Sequence, residues 1–151
     1  MGEKRIVGLD FGDKTVGVAI SDPLFLTAQG LETIHRKRPT KLRQTLARID
    51  EIVREYEADT IVLGYPKNMD DTEGERCRLT KDFKEKIEGR MDVDVILWDE
   101  RLSTKAAERA LIEGGHRREE RGALVDTVAA ALILQSYLDY QKTDRNGDGE
   151  Q

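Results

Sequence analysis

The sequence predicts an α/β fold in which helices pack on a mixed five-stranded sheet. Three observations lead there. Two strand-like runs, split by a three-residue turn, open the chain; buried-type apolar runs then alternate with amphipathic helical patterns; and no internal repeat or linker divides the 151 residues. Three leading strands joined by hairpins, followed by two crossover units, require antiparallel and parallel pairing in one sheet.

Ile6 to Phe11 reads as the first strand and Thr15 to Ser21 as the second, with Gly12-Asp13-Lys14 as the hairpin turn between them. Gly30 to His35 reads as a third strand, set off by Pro23 and Gly30. Leu42, Leu46, Ile49, Val53 and Tyr56 recur at steps of four and three, which predicts a helix with one apolar face. Thr60 to Gly64 is an unbroken apolar strand of the buried kind. Thr72 and Glu75 fit a capping box for a helix that faces inward through Leu79, Phe83 and Ile87 and ends near Gly89. Val93 to Trp98 reads as the last strand. Ser103 or Thr104 would cap a short helix through Ala107, Ala110 and Leu111, ended by Gly114-Gly115. A final helix is expected from about Leu124 to Gln141, its alanines allowing close approach to the sheet. Residues 1–142 would form one domain. Thr143 to Gln151, without an apolar residue, reads as a disordered polar tail.

The formal net charge of −5 argues against a protein that coats nucleic acid through bulk charge, but not against an enzyme with a local basic track. A single cysteine, Cys77, excludes an intrachain disulfide and disfavours a cysteine-based zinc site, in keeping with a reducing cytoplasm. The apolar run after Lys4-Arg5 is broken by Asp10 and Asp13, so neither a signal peptide nor a membrane span is expected.

Three acids carry the chemistry. Asp10 lies in the first strand, Glu100 follows the last strand, and Asp126 opens the apolar final helix. A carboxylate beside buried apolar residues is costly unless it is paired or binds a cation, and three gathered together would repel unless a divalent ion relieved them. Such hard oxygen ligands suit Mg²⁺ or Mn²⁺, and a two-metal site would support phosphodiester cleavage. The residues alone fit three unconnected acids equally well. They also leave open whether Asp99 or Glu100 turns toward the metals.

Several cationic and polar residues are candidates for substrate contact. Lys14 lies in the first turn. Lys67, Asn68 and Thr72 lie in a long loop at the C-terminal end of a buried strand, where α/β folds place ligand sites. Arg101 could pair with a carboxylate or hold a phosphate. Arg36, Lys37, Arg38, Lys41 and Arg43 form a run of cations without an acid, the strongest candidate for a phosphate-backbone track, though a solvated loop and helix start account for it nearly as well. Gly12 could equally belong to an ordinary hairpin turn or to a phosphate-binding loop.

Four segments together resemble the YqgF family, whose members are described as pre-16S rRNA nucleases and as Holliday junction resolvases. They are Gly8-Leu9-Asp10-Phe11-Gly12-x-Lys14-x-Val16-Gly17-Val18-Ala19, the Gly64 to Gly74 loop, Asp99-Glu100-Arg101-Leu102-Ser103-Thr104, and Val125-Asp126-x-x-Ala129-Ala130-Ala131-Leu132-Ile133-Leu134-Gln135. The resemblance covers residues 4 to 140. It implies a ribonuclease H-like fold, a divalent metal, and hydrolysis of structured nucleic acid, with pre-rRNA favoured and branched DNA as the alternative. It carries the family's acidic positions to Asp10, Glu100 and Asp126. A non-catalytic RNA-binding module is the reading from a different class; oligomeric state is not legible.

Overall fold

The computed structural model describes residues 4–68, 70–102 and 118–149, with side chains in the last segment described for 127–142. The strands are β1 (Ile6–Phe11), β2 (Thr15–Ser21), β3 (Ala28–His35), β4 (Thr60–Tyr65) and β5 (Asp94–Asp99). The helices are α1 (Arg43–Glu55), α2 (Glu75–Arg90) and α3 (Arg118–Gly149), with a 3₁₀ turn at Glu100–Leu102. The sheet order is β3-β2-β1-β4-β5. β1 pairs antiparallel with β2 and parallel with β4, so the sheet is mixed.

Side chains alternate across this sheet, and the two layers differ in content. Val7 and Leu9 of β1, Val16 and Val18 of β2, Ile61 and Leu63 of β4 and Val95 of β5 face α1 and α2. There they meet Leu46, Ile49 and Ile52 of α1 and Phe83 and Ile87 of α2 in the main core. Ala19 and Val62, from the opposite face, pack with Ala130, Ile133, Leu134 and Tyr137 of α3.

The register explains how α3 sits so close. Gly30, Ala19, Gly8, Val62 and Ile96 lie side by side across all five strands. The first three are small, so the helix backbone enters the space that larger side chains would fill. A Cβ on Gly8 would come within 2.7 Å of Leu134 Cβ and 3.1 Å of the Ala130 carbonyl oxygen. Between Val18 and Ala19 the β2–β3 register shifts by a bulge, which no sequence pattern announced.

Several boundaries differ from expectation: the third strand starts at Ala28 and not Gly30, and the last helix at Arg118 and not near Leu124. The helix expected to start at Thr72 begins at Glu75, with Gly74 as N-cap and no side-chain cap. The Thr72 hydroxyl instead accepts from Asn68 Nδ2 at 2.9 Å and donates to Asp70 Oδ1 at 2.5 Å, so the local loop wins over the capping box. The backbone of α3 stays helical to Gly149, past the position expected for a disordered tail, as helix propagation on a formed nucleus is easy. The short helix expected from Ser103 to Leu111 lies outside the described residues.

Candidate functional site

The site builds from the end of the sheet at which β1, β4 and β5 all terminate. Asp10 of β1 pairs with Gly17 of β2. One step beyond the last β1–β4 pair, Leu9 with Leu63, it comes level with Gly64. Asp10 thus sits between two residues without side chains, on the face that α3 covers.

Glu100 enters that same space. β5 ends at Asp99, and the 3₁₀ turn begins at Glu100. A Cβ on Gly64 would lie 2.7 Å from Glu100 Oε1, 3.1 Å from its Cγ and 2.6 Å from Ile133 Cδ1. The Glu100 side chain therefore lies over Gly64, on the face that carries Asp10. Gly64 serves here as a floor, a role beyond its place at the end of a buried strand.

Asp99 is engaged elsewhere. Its carboxylate accepts from Arg101 Nε at 3.0 Å and Nη2 at 2.6 Å, and from the Arg101 amide at 2.9 Å. Those hydrogen bonds from Arg101 hold the Asp99 carboxyl below the usual aspartate range. By strand alternation Asp99 shares the face of Leu97, which packs on the main core. Of the two neighbouring acids, Glu100 is the one that lies with Asp10.

Asp126 belongs to α3, one turn before Ala130 and two before Ile133, the residues seated over Gly8 and Gly64. Its side chain lies outside the described ones. Among the described residues no group of three or more ligating side chains forms.

The loop after β4 is tied down by its own polar groups. Arg101 Nη1 donates to the Asn68 carbonyl at 3.2 Å, and Nη2 donates to Asp71 Oδ1 at 2.9 Å. Lys67 Nζ reaches the same Asp71 oxygen at 3.0 Å. Asp71 has a φ of 72°, a left-handed conformation that aspartate tolerates better than most residues. Hydrogen bonds from Lys67 and then Arg101 hold its carboxyl below the ordinary range. Of the substrate-contact candidates, Lys67, Asn68, Thr72 and Arg101 are all partnered within this network, and Lys14 stays exposed in the β1–β2 turn.

That turn is an ordinary hairpin at its amide, since the Gly12 N–H donates to the Thr15 carbonyl at 2.7 Å. Its carbonyls meet two arginines that sequence reasoning did not place. Arg36 Nη2 donates to the carbonyls of Gly12 and Asp13, while Arg76 donates to the Phe11 carbonyl and to Asp13 Oδ1. Both guanidiniums lie over the Phe11 ring, at 4.9 and 5.3 Å from its centroid. Arg36, expected in an exposed cationic track, is in fact turned inward. The only available signal was its place at the end of a strand beside the hairpin.

Comparison with known proteins agrees with this architecture. The model of the family RuvX, described as Holliday junction resolvase, matches residues 4–140. A protein of Agathobacter rectalis named "Putative pre-16S rRNA nuclease" is 61% identical over 142 residues, covering 94% of this chain and 99% of that protein. One of the same name from Listeria innocua is 53% identical over 135 residues, covering 89% and 97%. Among solved structures, Thermus thermophilus RuvC in complex with a Holliday junction substrate matches with a TM-score of 0.54 at 14% identity, covering 91% of this chain and 96% of that one. Free RuvC from the same organism gives 0.56 at 13% identity. The likeness shows the fold, a ribonuclease H-like α/β sheet. No helix among the described residues is long and apolar enough to cross a membrane.

Proposed function

Since the chain belongs to the RuvX (YqgF) family, we propose that it is a metal-dependent endonuclease that hydrolyses phosphodiester bonds in structured RNA, with the 5′ end of pre-16S rRNA as its substrate. The observation that carries the reading is the placement of Glu100 over Gly64, on the face and at the end of the sheet that hold Asp10. The names of the relatives point to the RNA.

The donor set fits a divalent ion. Asp10 and Glu100 offer hard oxygens above a glycine floor that any side chain at position 64 would fill. Asp10, Glu100 and Asp126 would hold Mg²⁺ or Mn²⁺, as two ions. When bound, the ions would lower the pKa of the attacking water and stabilise charge on the leaving oxygen. The chain's own residues do the rest. Gly17 puts no side chain beside its partner Asp10, and Gly64 makes room for the Glu100 side chain itself. Lys14, exposed on the adjoining turn, contributes a point charge to a flanking phosphate. Arg101 fixes Asp99 and the 67–72 loop, so that the wall of the site is set before substrate arrives. Ribosomal RNA processing would place the work in the cytoplasm.

The test is Asp10→Asn in the full chain. Cleavage of a pre-16S 5′-leader RNA should fall at least about a thousandfold, as charge stabilisation and water activation are lost together. RNA affinity measured in EDTA should change by less than about threefold. Cleavage retained by the purified variant would overturn the proposal. The family's description favours one second reading, a resolvase acting on four-way DNA junctions. Junction cleavage faster than leader-RNA cleavage would select it. RNA binding that ignores loss of all three acids, with no cleavage by the native chain, would instead leave a binding module.

A further inference from the structure

The cations of the described surface divide into two populations. Arg48, Arg54, Lys67, Arg78, Lys84, Arg90 and Arg101 each pair with a carboxylate. Other exposed cations, Lys4, Lys14, Lys86 and Lys142 included, pair with no carboxylate among the described residues; of this second population, Lys37, Lys41 and Arg43 are clustered together. They surround an open cavity of about 600 Å³ between the end of β3 and the start of α1, whose lining includes Arg36 and no acid.

Two further features mark this cavity. The N-terminus of α1 carries no side-chain cap and no acid in its first turn. Its orphan N–H groups and the positive end of its dipole favour an anion, yet Lys41 and Arg43 flank it. Placing cations there disfavours the helix unless something negative binds. The second feature is Arg36, which is 9% exposed and engages its Nε and Nη2 while its Nη1 is buried with no hydrogen-bond partner. A buried guanidinium donor without an acceptor is costly, and the positive charge it keeps in the cavity wall favours an anion there. Burial and then the nearby Arg76 hold this guanidinium below the usual arginine range, with Asp13 opposing them.

We infer that this cavity is a second phosphate-binding site, in which Arg36, Lys37, Lys41, Arg43 and the first turn of α1 hold a backbone phosphate of the nucleic-acid strand several nucleotides from the scissile bond. The ligand class rests on the nuclease reading above; the geometry does not. Asp10 pairs with Gly17, Gly17 with Thr33, and Thr15 with His35, which borders the cavity. Two strand spacings across and two residues along put His35, at the cavity's border, about 12 Å from Asp10 within the sheet. Lys14 lies between them, since its carbonyl accepts from the Arg36 amide at 2.8 Å. A strand leaving the carboxylates over the end of the sheet would pass Lys14 and enter the cavity.

The experiment measures RNA binding in EDTA, so that no cleavage is required. Affinity of the full chain for a leader hairpin with a single-stranded flank is followed against salt concentration. The triple variant Lys37→Gln/Lys41→Gln/Arg43→Gln, all surface positions, should lower the slope of log K against log salt by about 0.7, the counterion release of one single-strand phosphate. A charge-matched control on α2, Lys84→Gln/Lys86→Gln/Arg90→Gln, should leave the slope within experimental error. An unchanged slope in the first variant, or an equal drop in the control, overturns the site. Titration with inorganic phosphate separates the sources: phosphate binding that the triple variant abolishes while the RNA slope stays unchanged would mean a free-anion site and overturn the nucleic-acid assignment. A lowered slope alongside cleavage retained by Asp10→Asn would keep the cavity and remove the nuclease. An unchanged slope alongside cleavage lost in Asp10→Asn would do the reverse.

Discussion

The two faces of the sheet are built to opposite rules. The face toward α1 and α2 is filled with large side chains, among them Leu9, Ile61, Leu63 and Phe83, all fully buried. The face toward α3 is built partly by omission, with Gly8, Gly17, Gly30 and Gly64 where the other face has branched residues. Filling the first face stabilises the fold by excluding water from apolar surface. Emptying the second lets a helix approach and keeps space around two carboxylates. One sheet therefore separates the work of holding the fold from the work of holding the site.

Substitutions can break that division. Phe83→Ala removes a ring that stacks on Phe11 with centroids 4.1 Å apart. It should cost about 3–5 kcal/mol in denaturant unfolding, the largest effect here. Gly8→Ala adds one carbon against Leu134 Cβ and the Ala130 carbonyl, neither of which can swing aside. It should cost about 1–3 kcal/mol, read the same way, as the helix is pushed off the sheet. Gly64→Ala meets the end of the Ile133 side chain and the Glu100 side chain from Cγ outward, both of which can move. Its stability cost should be under about 1.5 kcal/mol, while displacement of Glu100 should lower cleavage about a hundredfold. If Gly64→Ala instead unfolds the protein and Gly8→Ala does not, the division between packing glycine and site glycine is wrong.

The smallest effect is on pH. Asp99, bonded by Arg101, and Glu32, bonded by Arg48, both have depressed carboxyl pKa values in the folded chain. Depressed carboxylates contribute stability that is complete above their unfolded pKa and is lost as pH falls through the folded one. Melting temperature should thus hold steady down to about pH 5 and decline below it. Arg101→Gln should flatten the part of that decline that Asp99 contributes. A decline that begins near pH 6 would point to other groups.

Much of this was legible beforehand. The apolar runs Ile6 to Phe11 and Thr15 to Ser21, split by Gly12-Asp13-Lys14, marked the first two strands, because strand-forming residue types and a turn are written directly in the sequence. The order of three hairpin-linked strands and two crossovers was enough for the mixed sheet. The position of Asp10 was readable for the same reason. The orientation of Glu100 was not, because it depends on where β5 stops and the 3₁₀ turn starts, and that is decided by Arg101 gripping Asp99. Arg36 was legible as a cation but not as a buried clamp, since its acceptors are carbonyls 23 and 24 residues away on another turn. The capping box at Thr72 misled because Asp70 and Asn68 competed for the same hydroxyl.

One residue beside the site opens it to optical measurement. Trp98 is the sole tryptophan of the chain. It stands two positions before Glu100, meets the Tyr137 ring edge-on at 5.4 Å and donates from its indole nitrogen to Ser136 Oγ at 3.1 Å. Its emission therefore arises from a single place, the seam between β5 and α3. Any ligand or substitution that tilts α3 will alter the colour and lifetime of that fluorescence, giving a built-in gauge of helix seating that needs neither a label nor a turnover.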